Sequence, residues 1–293
     1  MSASVDLHIH SNRSSDGDFT PLQIVHRAKE GGFRAISITD HDSVAAYPEA
    51  VNIGREIDLE VIPGVELTTL YAGREFHLLL YFVDWTKTIV KELIEEVAAR
   101  RFIEAKARVD KLQSLGFPIE WEEVLREAEP YPPLGVTIAQ VLLKKAAKKA
   151  DPRIERYLDE TNRMYAPYLF YKDYFAEGKP AFVPRQNVFL KDVLALAPQT
   201  SGVPVLAHPG APFQRVTQDD LRVLKGLGLQ GLEVYTSYHD ESLAAFYKGL
   251  AAEFNLVPTA GSDFHGRIKP QVPFGSLNNG GYWMVEELGK RRS

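Results

Sequence analysis

Over the first ninety residues, short apolar runs rich in β-branched side chains alternate with stretches that carry their apolar positions at helical spacing. Residues 4–10 read as a strand. Residues 21–32 place Leu22, Ile24, Val25 and Ala28 on one helical face, with Thr20 as N-cap, Pro21 at the first position and Gly31-Gly32 as the stop. Strand 34–39, helix 44–57 and strands 60–67 and 75–83 follow, the last with an apolar run typical of a strand buried on both faces. Such alternation predicts parallel strands joined by crossover helices.

Between residues 87 and 184 this pattern stops. One long charge-rich helix is predicted over 89–115, a short helical segment over 121–129, and a turn at Pro130-Tyr131-Pro132-Pro133. A basic helix over 136–150 and an aromatic stretch over 165–175 complete the segment, with no strand signal. Helix 189–200, strand 203–208, helix 218–226, strand 231–236, helix 241–254 and strand 257–262 then restore the alternation. The expectation is an α/β chain with seven strands in a discontinuous barrel (1–86 and 185–293) and a mainly helical insertion or lid (87–184).

A chain of 293 residues, 45% hydrophobic and 25% charged, can bury a sizeable core. Its net charge of −5 gives no basic footprint for long duplex nucleic acid. The absence of cysteine excludes disulfides, thiolate metal sites and cysteine nucleophiles. There is no signal-peptide pattern at the first residues and no apolar stretch approaching the ~20 residues that span a bilayer. A cytoplasmic protein with no membrane partner is expected.

The chemistry lies where the apolar runs end. Asp6-Leu7-His8-Ile9-His10, Ser15-Asp16-Gly17, Thr39-Asp40-His41-Asp42, Pro63-Gly64-Val65-Glu66, His77, Ala207-His208-Pro209 and Gly261-Ser262-Asp263-Phe264-His265 account for six of the eight histidines. Period-2 geometry puts His8 and His10 on one strand face, and Asp263 and His265 repeat that spacing. Any one of these residues alone is more often a core histidine or a cap. Glu66, inside the apolar Val61–Leu67 run, is harder to explain structurally, because an unpaired buried charge is costly. Jointly they point to a multinuclear metal site at the carboxyl ends of barrel strands. Asp40 is expected to orient a neighbouring imidazole, and Asp18 and Thr20 to act as caps. His26 is expected to be a half-buried packing residue, and His239 a cap or a group at the barrel mouth.

These strings, in this order, resemble the polymerase-and-histidinol-phosphatase (PHP) family of metal-dependent phosphoesterases. The resemblance implies a distorted seven-stranded barrel holding two or three Mn, Fe or Zn ions. It implies His8, His10, Asp16, His41, Glu66, His77, His208, Asp263 and His265 as ligands, with Glu66 bridging. The nearest subgroup hydrolyses nucleoside 3′,5′-bisphosphates or trims short RNA from the 5′ end. It shares Gly178-Lys179-Pro180 and the Glu233–His239 segment. Its Arg-x-His in the insertion is replaced here by Gly135-Val136-Thr137, and the arginine after His-Pro-Gly by Ala211.

Imidazole and carboxylate donors without sulfur suit Mn²⁺, Fe²⁺ or Zn²⁺. The expected reaction is hydrolysis of a small phosphomonoester, a nucleotide, by a hydroxide bridging two ions. A metal-bound water, Asp40 or His239 could protonate the leaving group, and Arg13, Lys179, Arg185, Arg215 and Arg267 are candidate phosphate clamps. Aromatics such as Tyr165, Tyr168, Phe170, Tyr171 and Tyr174 could stack on a base or form the insertion's own core. Competing readings are 5′–3′ exonuclease action on short RNA, metal-dependent amide hydrolysis, and a non-catalytic metal-stabilised module.

Overall fold

The computed structural model describes residues 4–147, 151–162, 165–277 and 279–292; positions 148–150 of the expected basic helix lie outside them. Contacts divide the chain into two compact units, Met1–Ile94 with Val188–Ser293, and Glu95–Asn187.

The first unit holds two sheets. Strands β1 (Val5–Ile9), β2 (Ala35–Ile38) and β3 (Glu60–Val61) pair in parallel in that order. The second sheet combines β4 (Gly64–Tyr71), β5 (Arg74–Tyr81), β6 (Val188–Phe189), β7 (Val203–Leu206), β8 (Gly231–Tyr235) and β9 (Val257–Ala260), ordered β6-β4-β5-β7-β8-β9. Isolated parallel bridges, Ile9 to Phe264 and His41 to Glu66, link strand ends of the two sheets. Each expected strand has a counterpart, but they form two sheets and not one uniform ring.

Two expectations are corrected. The segment 60–67 is not one strand: it divides at Pro63, which has no N–H for a ladder, into β3 of one sheet and β4 of the other. The strands are also not all parallel, since β5 runs antiparallel to both β4 and β7. The cause is a two-residue turn, Ala72-Gly73, with φ of 49° and 74°. Positive φ at both central positions matches the right-handed twist of a hairpin.

The interior is built from both sheets: Val5, Leu7 and Ala35 pack in one cluster with Leu79, Tyr81, Val203 and Val205. The Tyr81 hydroxyl donates to the Leu7 carbonyl at 2.9 Å, tying β5 to β1. Outside, helices α1 (Pro21–Glu30) and α2 (Tyr47–Glu56) cover Ile9, Ile36 and Ile38. Thr20 caps α1 as expected, with Gln23 completing a capping box. His26 is exposed on that helix, not half-buried, because Ile24, Val25 and Ala28 take the inner face.

The second unit contains, among the described residues, no strand. It comprises most of α3 (Thr88–Ser114) with α4 (Trp121–Ala128), α5 (Gly135–Ala146), α6 (Pro152–Leu158) and α7 (Ala166–Tyr174). Its own core gathers Val109, Leu112, Ile138, Leu142, Tyr157 and Phe170. Phe170 stacks on Tyr174 at 4.4 Å, so these aromatics are core, whereas Tyr165 and Tyr168 are exposed. Among the described residues no helix is long and apolar enough to cross a membrane.

Candidate metal centre

All nine residues implied as ligands lie in the first unit, and their side chains converge. Glu66 stands at the middle of them. Its position is fixed by the β4–β5 register, which pairs Glu66 with Leu79 and Thr68 with His77, so that Glu66 and His77 share one face. The Oε1 atom of Glu66 lies 2.9 Å from His77 Nδ1 and 3.0 Å from His208 Nε2. Its Oε2 lies 3.2 Å from each of His8 Nε2, His10 Nε2 and His41 Nδ1. One fully buried carboxylate thus faces five imidazoles, two through one oxygen and three through the other.

The remaining acids serve the flanks. Asp263 Oδ1 lies 3.1 Å from His10 Nε2 and 3.4 Å from His8 Nε2. Asp16 Oδ2 lies 3.4 Å from His41 Nε2 and 3.5 Å from His265 Nε2. His10 and His265 stack with ring centroids 3.9 Å apart. Three groups of donor atoms come close enough to hold an ion: His10, Asp16, His41 and His265; His8, His10, Glu66 and Asp263; and His41, Glu66 and His77. His10, His41 and Glu66 each belong to two of them.

The donor chemistry fits cations. His8 Nδ1–H donates to Glu233 Oε1 at 2.9 Å, which leaves a lone pair on Nε2, yet that atom sits 3.1 Å from His10 Nε2. Two imidazole nitrogens so placed need a shared proton or a cation between them. Buried atoms without a hydrogen-bond partner include His10 Nδ1 and His208 Nδ1. Orphaned donors and acceptors of this kind are rare in a finished fold.

The metal-free protonation balance is correspondingly uneven. Burial opposes charge on His10, but the Asp263 and Glu66 carboxylates override it and carry its pKa up to about 10. His77 also rises to about 10 against burial, through Glu66 and Glu75. Burial dominates at His41, which is pushed down to about 3. Burial opposes ionisation of Glu66 too, yet His41, His8 and His77 together hold it well below the ordinary carboxylate range.

Backbone geometry is unusual at two of these residues. His208, just past β7, has φ 23°, and Asp263, past β9, has φ 58°. Few residues other than glycine adopt such values, and they persist where the surroundings over-determine them. Gly261 is required sterically: a Cβ there would lie 2.2 Å from His8 Cβ and 2.3 Å from Glu233 Oε1.

Other candidates are placed differently. Asp40 orients no imidazole. Its Oδ1 accepts from Ser11 N at 2.6 Å and Ser14 Oγ at 3.2 Å, and its Oδ2 from Ser11 Oγ at 2.6 Å, fixing the loop that carries Asp16. His239 donates through Nδ1 to the Val234 carbonyl at 2.8 Å and accepts from Gly210 N at Nε2, 2.9 Å. One nitrogen is committed to the Val234 carbonyl of β8 and the other to the Gly210 N–H, which leaves no proton for a leaving group; the helix cap is its neighbour Asp240. Arg13 pairs with Glu49 at 2.8 Å, Arg267 with Asp18, and Arg215 is exposed beyond the His208 loop. Lys179 and Arg185 belong to the helical unit, where Arg185 donates to the Tyr171 hydroxyl at 3.0 Å. A cavity of about 180 Å³ there is lined by Gly135 and Val136 and by Arg101, Arg108 and Arg185. Cations from other positions therefore surround the site of the missing Arg-x-His.

Two charged residues were not foreseen. Glu233 binds His8 with one oxygen and accepts His208 N at 2.8 Å with the other. A glutamate within the apolar Gly231-Leu232-Glu233-Val234 run was the available signal. Lys269 donates to Asp263 Oδ2 at 2.6 Å and lies 2.9 Å from the Tyr238 hydroxyl.

A sequence profile of the PHP domain matches residues 6–171, more than half of the chain. The chain belongs to the PHP family. Curated relatives include a 5′-3′ exoribonuclease of Haemophilus influenzae, 27% identical over 90% of this chain and 91% of that protein. Another is a phosphoribosyl 1,2-cyclic phosphate 1,2-diphosphodiesterase of Eggerthella lenta, 29% identical over 92% and 97%. Among solved structures, a proposed metal-dependent phosphoesterase from Bifidobacterium adolescentis superposes with a TM-score of 0.78 at 27% identity, covering 99% of this chain and 97% of that one. This PHP protein is a metal-dependent phosphoesterase, a hydrolase, and its candidate metal-binding groups are the His, Asp and Glu clusters described above.

Proposed function

We propose that the chain hydrolyses a phosphate monoester of a nucleotide, using two or three Mn, Fe or Zn ions held by His8, His10, Asp16, His41, Glu66, His77, His208, Asp263 and His265. The observation that carries this reading is Glu66, whose two oxygens face separate sets of imidazoles at 2.9–3.2 Å, as a carboxylate shared between cations would. Bound cations supply Lewis acidity toward water and toward the phosphate oxygens. The chain's own work is to position them. Glu233 fixes the tautomer and plane of His8, and Lys269 holds the outer oxygen of Asp263. The paired Arg13 and Arg267 and the turn-bound His239 are poor candidates for touching substrate.

A relative in Chromobacterium violaceum named 3′,5′-nucleoside bisphosphate phosphatase, 23% identical over 90% of this chain, supports a nucleotide, and the exoribonuclease name of the Haemophilus relative supports, as a second reading, removal of nucleotides from the 5′ end of short RNA. Turnover of an aryl phosphate with Mn²⁺, set beside an aryl amide and a chelated control, tests the class. A panel of nucleoside monophosphates and 5′-phosphorylated oligoribonucleotides then separates the two substrates. Hydrolysis of the amide alone, or no metal-dependent turnover of any ester, would refute the proposal.

A further inference from the structure

Phe213 stands on the loop that follows β7 and is 51% exposed, between the buried Ala211 and Gln214. The loop is firmly anchored. Ala211 N bonds the His208 carbonyl at 2.9 Å, Gln214 N the Ala211 carbonyl at 2.9 Å, and Val216 N the Pro209 carbonyl at 2.8 Å. The buried Gln214 side chain donates to the Ala207 carbonyl at 2.8 Å and accepts from His77 N at 2.9 Å, clamping the loop to β7 and β5. Phe213 is thus held in a fixed place with half of its ring in solvent.

Its neighbours are the imidazoles of the metal centre. The ring centroid lies 5.5 Å from that of His77 and 5.4 Å from that of His208, the two histidines on Glu66 Oε1. Tyr238 stands nearly perpendicular to Phe213 (5.8 Å, 85°) and meets His208 edge-on at 5.3 Å. Two aromatic rings and the His208 imidazole thus pack together beside the candidate centre, with half of Phe213 exposed. A solvent-facing phenyl on a clamped loop contributes little to the core. As a flat apolar surface beside the reacting position, it suits a planar ring, which stacks offset or edge-on at 4.5–7 Å.

We propose that Phe213, backed by Tyr238, is the specificity determinant of this site: a stacking shelf that selects phosphate esters whose leaving group carries a planar ring, a nucleobase in the first instance. The inference rests on the phosphoesterase reading and adds the part of the substrate that the metals do not touch. Losing aromatic–base stacking typically weakens binding by about five- to 150-fold.

The test uses the Mn²⁺-loaded chain as wild type, Phe213→Leu (similar bulk, no ring) and Phe213→Ala, with AMP and ribose 5-phosphate as substrates. The expected result is an approximately tenfold fall in the ratio of kcat/KM for AMP over ribose 5-phosphate in both variants, carried by KM, with bound metal unchanged. An equal loss for both esters would overturn the proposal and make Phe213 a cover for the imidazoles. Adenosine, which has no phosphate, gives an independent readout by saturation-transfer NMR. Ring contacts present in wild type and lost in Phe213→Leu support the shelf even if neither ester is hydrolysed and the phosphatase reading fails. Absence of adenosine contacts in wild type overturns it.

Discussion

Glu233 Oε1 lies 2.9 Å from His8 Nδ1 while its Oε2 accepts the backbone N–H of His208 at 2.8 Å, so one carboxylate from β8 sets two site histidines contributed by different strands. Carboxylates behind ligating histidines typically change metal affinity by ~10–100-fold when removed. Glu233→Gln should weaken Mn²⁺ binding within that range, measured by competition with a fluorescent chelator. Unaltered affinity would mean that Glu233 only holds the His208 turn.

Glu66→Ala should remove more than one ion and lower turnover more than about a hundredfold, beyond the range typical of groups that merely orient ligands. Elemental analysis after Mn²⁺ reconstitution gives the count. His26→Ala, an exposed helical substitution, should stay within ~0.5 kcal/mol in stability and retain wild-type metal content. Loss of a single ion in Glu66→Ala would argue against bridging.

Chelation should lower Tm, because metal-binding free energy is also folding free energy. The pH dependence of that difference follows from the metal-free protonation. His10 and His77, raised from 6.5 to about 10, stabilise the metal-free fold fully below pH 6.5, and this is lost as pH rises through 10. Glu66, Asp16 and Asp263, held low, stabilise it above the ordinary carboxylate range and lose that effect in acid. Metal uptake instead requires neutral imidazoles. Scanning calorimetry should therefore find the chelated protein's Tm falling between pH 6.5 and 10 while the stabilisation by Mn²⁺ grows. A metal-free Tm that rises over this interval would contradict the assignment.

Gly261→Ala should destabilise by at least ~1–3 kcal/mol, the usual cost of overpacking, since its Cβ would press on His8 and on Glu233. Denaturant unfolding of the metal-free chain isolates this effect from lost metal binding. A variant of wild-type stability would show that β1 and β9 can separate freely.

Much of this was legible because candidate ligands at strand ends leave a local trace: an apolar run, then His or Asp, with Pro or Gly next at His208 and His265. Thr20 and Pro21 announced α1 in the same way. The hairpin was not legible, since its turn is Ala72-Gly73, without the Asn or Asp that usually marks positive φ. Asp40 was misread because strand alternation gives a side chain's face but not its partner, and two serines 29 and 26 residues upstream claimed it. Glu233 escaped although the argument applied to Glu66, a carboxylate stranded among apolar neighbours, applied equally to it. Lys269 had no signal, because its approach to Asp263 depends on a short irregular segment after β9.

The bridge between β1 and the segment after β9 has a consequence for how the protein comes into being. Asp263 N bonds the His8 carbonyl at 2.8 Å and His10 N the Phe264 carbonyl at 2.8 Å. A chain emerging from the ribosome presents Glu66 and His77 early, as one hairpin. His8 and His10, made before them, must wait some 250 residues for Asp263 and His265 to reach them. The donor group His8, His10, Glu66 and Asp263 therefore exists only once elements some 250 residues apart have docked, so the proposed ion site reports on closure of the fold from end to end.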